Sequence, residues 1–371
     1  MKRALVVGAG IVGAACAERL ARDGFVVSVV DPRPVGSVAT GAGMGHLLVM
    51  DDPPAEFALT LRSRILWDEL APTLSPSVDH AACGTLWVAA DEEELAEAER
   101  KRARLAAAGV SAELLDSAGL VRLEPNLRAG LLGGLRLAED GIVYPPAAAQ
   151  WFLERAGATG ERHVRSASVA SVESGRATLA DGRVLEADVI VLAAGLETRA
   201  LVRGLPLRAR KGHLVITDRH PGFCSHEIVE LGYVKNAHGA ALESVACNVL
   251  ARPNGQVLVG SSRQFDVDDP AIDPRMLARV VARATEFLPG LARLKAIRAW
   301  TGLRAATPDG LPVIGPLPGA SGVFVAAGHE GLGITASTGT AELVADLASG
   351  RRGALDPHPY RVERFAEVGH A

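Results

Sequence analysis

Close to the N-terminus, Gly8-Ala9-Gly10-Ile11-Val12-Gly13 sets three glycines at the spacing of a diphosphate-binding turn. In such a turn the first glycine permits the sharp bend, the second lets a pyrophosphate approach the backbone, and the third lets a helix lie close to its sheet. The free amides at the start of that helix carry the partial positive charge that holds the anion. Asp31 stands eighteen residues after Gly13, where a carboxylate accepts hydrogen bonds from a ribose hydroxyl and repels a 2′-phosphate. The chemistry implied is dinucleotide binding, with NADP disfavoured. The motif does not separate FAD from NAD, because both carry an ADP half.

The elements that must position these residues are legible around them. Residues 4–7 read as a buried strand, 11–22 as a helix ending near Gly24, and 26–30 as a second buried strand closing on Asp31. That β-α-β unit is the context the motif requires. Residues 53–70 have helical periodicity in Phe57, Leu61, Ile65 and Leu66, whereas 84–89 is strand-like. Residues 91–108 form a helix with Asp91 as N-cap, glutamates in the first turn and Gly109 as terminator. A helix at 147–156 leads to a strand at 164–172, a hairpin about Asp181-Gly182, and a buried strand at 189–193 that returns to the first sheet. From 207 to 263 strand follows strand, with turn signals at 236–239 and at Asn254-Gly255, so a second, antiparallel sheet is expected. A helix at 274–288, strands near 294–301 and 322–326, a glycine-rich turn at 328–333 and a helix through Ser349 complete the reading.

Composition narrows the function classes. With 48% hydrophobic and 22% charged residues and a net charge of -4, the chain has no basic field for nucleic acid or anionic lipid. Cys16, Cys83, Cys224 and Cys247 lack metal-ligand or C-x-x-C spacing, which argues against a zinc site or disulfide framework and suits a reducing compartment. Met1-Lys2-Arg3 before the apolar run 4–17 imitates a secretory signal. The fingerprint glycines fall inside that run, however, and Glu18, Arg19, Arg22 and Asp23 follow without an export cleavage site. The best remaining apolar run, 189–196, is far shorter than the ~20 residues of a membrane span. A cytoplasmic location is expected.

The C-terminal third separates the dinucleotides. Gly302-Leu303-Arg304-Ala305-Ala306-Thr307-Pro308-Asp309-Gly310-Leu311-Pro312-Val313-Ile314-Gly315 resembles the G-L-R-P-x-T-P-D-G-x-P-x-I-G segment of the D-amino acid oxidase/glycine oxidase family. Gly328-His329-Glu330-Gly331-Leu332-Gly333-Ile334 resembles that family's flavin-contacting turn, and Asp188 to Gly195 its second nucleotide-contacting strand. With the fingerprint, the matches run in family order over essentially the whole chain. The resemblance implies FAD, bound non-covalently because 298–307 contains neither cysteine nor histidine. It also implies hydride transfer from a substrate Cα to flavin N5, with no side chain acting as acid or base. The fold implied is α/β, a Rossmann-like FAD-binding domain (1–77, 142–207 and 301–371) interleaved with an α+β substrate domain on an antiparallel sheet (78–141 and 208–300).

By the same resemblance, Arg304 grips the substrate carboxylate, with Asn248, Arg263, Glu330 and Tyr233 around the substrate. Implied flavin contacts are Gly8, Gly10, Ile11, Val12, Gly13, Asp31, Thr40, Ala42, Gly43, Val172, Ala194, Gly195, Gly328, Gly331, Leu332, Gly333 and Ile334. Val169 joins Val172 beside the adenine, and both suit core packing as well. Tyr144, Lys211 and Lys235 are polar candidates for the cavity; His46 reads as a base, a flavin neighbour or a packed histidine, and His329 lies in the flavin turn. Asn248, Arg263 and Gly331 stand where glycine oxidase has tyrosine, methionine and arginine. The stretches 39–52, 260–265 and 328–335 look most like flavoproteins that oxidise D-proline or cis-4-hydroxy-D-proline. Expected partners are a small amino acid and an electron acceptor, either O2 or a partner redox subunit, in a homo- or hetero-oligomer. The rival readings are a glycine, sarcosine or opine oxidase, an NAD-dependent dehydrogenase, and a flavin-binding subunit without turnover.

Overall fold

The computed structural model describes all residues except 52, 160–163, 233–242, 366–368 and 371. Two sheets dominate it. The first has six strands in the order Val313–Pro316, Val323–Ala327, Val189–Leu192, Arg3–Val7, Val26–Val30 and Val164–Arg165. Its pairs are parallel except Val313–Pro316 with Val323–Ala327. These strands are short apolar runs because both faces are covered, the condition under which alternation disappears. Ile11–Arg22, Pro145–Thr159 and Ser337–Ser349 pack on one face, with Ala14, Ala15, Ala17 and Ala341 small enough for close helix contact. The other face buries Leu5, Val7, Ile190 and Leu192 with Val172 and Leu179 of a small sheet, Val169–Glu173, Arg176–Leu179 and Val184–Glu186.

The second sheet has eight strands in the order Ala296–Ala306, Arg208–Arg219, Gln256–Phe265, Glu243–Ala251, Glu227–Glu230, Thr85–Ala89, Gly133–Leu137 and Glu113–Asp116. It is antiparallel, as the alternation suggests, apart from Glu227–Glu230 beside Thr85–Ala89, which is parallel. The strand expected near 294–301 runs five residues further, to Ala306, and so carries Arg304. The expected division at 300/301 falls inside this strand, which is hydrogen-bonded from Ala296 to Ala306 against Arg208–Arg219. The stretch 164–172 is two strands, Val164–Arg165 and Val169–Glu173. Asp91 caps Glu92–Ala107, accepting the Glu94 amide at 2.9 Å. Among the described residues no helix is long and apolar enough to cross a membrane.

Candidate active site

The N-terminal fingerprint folds as a tight cradle. Gly8 has φ +112°, and a Cβ there would overlap the Ala193 carbonyl at the end of the adjacent strand. A Cβ on Gly13 would overlap the Gly8 carbonyl oxygen, so only glycine lets the helix approach the turn this closely. Gly10 caps Ile11–Arg22 without a side chain, and a Cβ on it would point at the Thr40 hydroxyl 3.2 Å away. Ala9 N–H donates to Asp31 Oδ2 at 2.9 Å and Arg33 N–H to Oδ1 at 2.8 Å, which fixes the carboxylate beside the helix start with acceptor capacity to spare. Thr40 Oγ1 accepts the Ile11 amide at 3.0 Å. A helix N-terminus stripped of side chains, bounded by a fixed carboxylate, fits the ADP half of a dinucleotide. Gly195 begins a 3-10 turn just beyond Ala193 and Ala194, whereas the Val172 side chain is buried in the core with Leu5 and Val30.

From Asp31 the chain runs to the second sheet, laying residues 40–46 between the sheets. A Cβ on Gly43 would stand 2.7 Å from Ile334 Cδ1, so this segment abuts the turn that precedes the last helix. Ala42 lies against Gly302, whose added Cβ would be 2.6 Å away, and the Ala42 carbonyl accepts from Trp300 Nε1 at 3.4 Å. Met44 packs with Leu214, Leu250 and Leu258, its sulfur 3.0 Å from where a Gly260 Cβ would be. The turn 328–334 is tied to the Arg304 strand, with Ala306 and His329 bridged and the Glu330 amide donating to the Ala305 carbonyl at 2.9 Å. His329 Nε2 pairs with Thr340 Oγ1 at 2.9 Å, and burial pulls its pKa down to about 4, so the ring is neutral. A Cβ on Gly331 would meet nothing within 4 Å, which leaves open space over this backbone. That open backbone belongs to a turn that abuts residues 40–46 where Gly43 meets Ile334.

Arg304 stands on the edge strand, and its guanidinium rests over Gly212 of the neighbouring strand, 2.5 Å from where a Cβ would be. Nη1 donates to the Ser262 carbonyl at 3.1 Å. Glu330 has φ +48°, and its carboxylate meets Arg210 Nη1 at 3.1 Å and Arg263 Nη2 at 3.8 Å. Burial alone would raise its pKa, but Arg263, Arg304 and Arg210 together hold it at about 2. The guanidinium of Arg210 also sits 4.1 Å over the Phe265 ring. Three guanidiniums against one carboxylate leave this end of the face strongly anion-seeking.

Arg263 and Arg304 therefore come together at Glu330, whereas Asn248, paired with Gly260, stands two strands from Gly212. Tyr233 and Lys235 lie outside the described residues. Lys211 alternates with Arg210 and Gly212, so it points to the opposite face and does not line this space. Tyr144 is 40% exposed with the Arg252 guanidinium over its ring, a surface position. His46 lies beside Asn248, and its Nδ1 pairs with the fully buried Glu227. Sequence reading missed Arg210, Met44, Glu227 and Asp140. Arg210 sits beside the expected Lys211, and strand alternation was the signal that would have chosen it; Glu227 and Asp140 had no local signal.

The family model for FAD-dependent oxidoreductases called DAO matches residues 3–347. The chain belongs to the DAO family. D-amino acid dehydrogenase of Cereibacter sphaeroides is 28% identical to this DAO-family protein over 99% of the chain and 96% of the relative. Glycine oxidase of Geobacillus kaustophilus is 27% identical over 98% of the chain and 97% of the relative. The crystal structure of that glycine oxidase superposes with a TM-score of 0.86 at 25% identity, covering 98% of this chain and 99% of the other. The structure of L-proline dehydrogenase from P. horikoshii gives a TM-score of 0.87 at 21% identity, covering 98% and 97%, and shows the shared fold. The DAO family is FAD-dependent, and the glycine cradle and the open turn at Gly331 suit that cofactor.

Proposed function

We propose that this DAO-family protein oxidises the CH–NH bond of a small amino acid, with D-proline or cis-4-hydroxy-D-proline the preferred substrate. The observation that carries it is the Arg304 guanidinium over Gly212, with Leu214 and Trp300 further along the same face of the sheet and Met44 packed on them. Arg304 would hold the carboxylate bidentately, and that patch would take the ring carbons of a cyclic secondary amine. In this reading Gly8, Gly10, Ile11, Val12, Gly13 and Asp31 hold the ADP half of FAD. Thr40, Ala42, Gly43 and the turn from Gly328 to Ile334 flank the isoalloxazine. Bound FAD supplies the hydride acceptor. Amides of Gly331 and Gly333 would face the charge that develops on reduction. The six-stranded sheet corresponds to the FAD-binding domain and the eight-stranded sheet to the substrate domain, whose edge strand Ala296–Ala306 meets the turn at His329 through Ala306.

Glycine and sarcosine fit Arg304 equally well but leave the apolar patch unused, and Asn248, Arg263 and Gly331 depart from the glycine oxidase pattern. The dehydrogenase among the relatives supports a partner redox subunit as acceptor in place of O2. The test is an anaerobic screen of the FAD-loaded protein against D-amino acids, sarcosine, glycine and opines. Bleaching of flavin absorbance near ~450 nm by the cyclic D-imino acids at the lowest concentration supports the assignment. Bleaching by glycine in preference to them replaces it, and oxygen uptake during turnover identifies the acceptor.

A further inference from the structure

We infer that Gly212 is a positioning residue for substrate recognition: the side chain it lacks is the berth in which Arg304 lies, and that berth sets where the substrate carboxylate is held. This rests on Arg304 being the carboxylate's partner, as proposed above. Strand pairing sets the geometry. Arg304 stands on the edge strand directly opposite Arg210, and like charges in that relation repel. Arg210 is committed elsewhere, its Nη1 3.1 Å from Glu330 and its guanidinium over the Phe265 ring. Arg304 leans instead to the diagonal position, Gly212, which shares the face of Arg210 by alternation and is itself paired with Gly302. From there its Nη1 donates to the Ser262 carbonyl at 3.1 Å, on the strand beyond. The side chain thus crosses the strand Arg208–Arg219, and it can do so only where nothing stands on that face.

The fit over Gly212 leaves no room for a methyl group. A Cβ there would stand 2.5 Å from Nη2 and 2.8 Å from both Cζ and Nη1 of Arg304. An ordinary contact is ~3.5 Å or more, so the guanidinium would have to lift by about 1 Å. Those nearest atoms are the end of a flexible side chain, and Gly212 lies in a strand without a positive φ, so alanine displaces Arg304 and leaves the backbone as it is. The anchor beyond is fixed. Ser262 Oγ accepts the His213 N–H at 2.9 Å and pairs with the ring Nδ1 at 2.9 Å. The fully buried His213 ring accepts the Asp273 amide on Nε2 at 3.0 Å, which leaves the proton on Nδ1 to donate to Ser262. A lifted guanidinium therefore loses the Ser262 carbonyl, and with it the orientation that presents two donors in parallel to a carboxylate.

The test is calorimetric titration of the FAD-loaded protein with tetrahydro-2-furoate, a ring carboxylate that has no amine to oxidise. Wild type, Gly212→Ala, Arg304→Ala and the double variant are compared. Gly212→Ala should weaken binding roughly tenfold, as one of two parallel charge-assisted bonds is lost, and Arg304→Ala by at least as much. In the double variant the methyl group has no guanidinium to displace, so the loss should equal that of Arg304→Ala alone. Where Gly212→Ala by itself fails to fold, recovery of folded protein in the double variant reports the same coupling. A wild type that does not bind the furoate, or an Arg304→Ala protein that binds it as the wild type does, sinks the reading of Arg304. With that reading intact, three results overturn the role of Gly212. They are wild-type affinity in Gly212→Ala, a Gly212→Ala penalty that persists in full in the Arg304→Ala background, and a double variant that folds no better than an unfolded Gly212→Ala protein.

Discussion

Arg304 and Glu330 carry opposite charge a short distance apart, and what each does depends on how its charge is balanced. Arg304 uses one donor on the Ser262 carbonyl and has others for a ligand. A charge-assisted bond to a carboxylate contributes about 1.5–3 kcal/mol, so Arg304→Leu should raise KM for the amino-acid substrate roughly ten- to hundredfold. Steady-state kinetics with the flavin content measured in parallel checks this, since FAD occupancy should not fall. Glu330 is held at about 2 by three guanidiniums, well below the ordinary 4.5. Its stabilising contribution is thus present above the ordinary value and is lost only as pH falls through about 2. Glu330→Gln strands those guanidiniums and should cost roughly 3 kcal/mol. Thermal melts of the variant and wild type should differ by the same amount at pH 5 and at pH 9. Arg304 stood out in the sequence because a contiguous segment surrounds it. Arg210 and the role of Glu330 did not, since their meeting depends on pairing between strands far apart in sequence.

The helices and turns were the most readable level, because their signals are local. Asp91 accepts the Glu94 amide with Glu92, Glu93 and Glu94 in the first turn, as the sequence order requires. Asp91→Ala should lower unfolding stability by about 1 kcal/mol in denaturant titration without altering flavin binding, because this helix lies away from the cradle. The cradle behaves differently. Any side chain at Gly13 collides with the Gly8 carbonyl, which is backbone and has nowhere to move. Gly13→Val should therefore push the helix off the turn and yield protein that emerges without flavin absorbance. It should also lose the added stability that a tightly bound ligand confers on the native state. Strand limits were less legible: the strand ending at Ala306 continues past its apolar stretch because backbone pairing with Arg208–Arg219 sustains it.

At the scale of the whole molecule, the chain passes between the two sheets at residues 40–46, and Asp140 is buried beside the short pairing of His46–Leu47 with Gly141–Ile142. Asp140 is 1% exposed, and burial first, then the neighbouring Glu227, push its pKa up to about 7. A raised carboxyl contributes stability that is complete below the unfolded value near 3.8 and is lost as pH climbs through 7. Asp140→Asn keeps an acceptor for Arg64 and removes the titration. It should raise the unfolding midpoint at pH 8 and change it little at pH 4, as melts across that range will record. The sequence by itself determined the dinucleotide cradle, the apolar strands behind it, and the Arg304 and Gly328 to Gly333 segments, because each is a contiguous stretch whose geometry follows from its own residues. Only the tertiary structure decided that Arg210 and Arg263 surround Glu330 and that Lys211 faces away. It alone joined His46 to Glu227, 181 residues apart. Pairing and burial across such distances are properties of sheet register, and no local pattern records them.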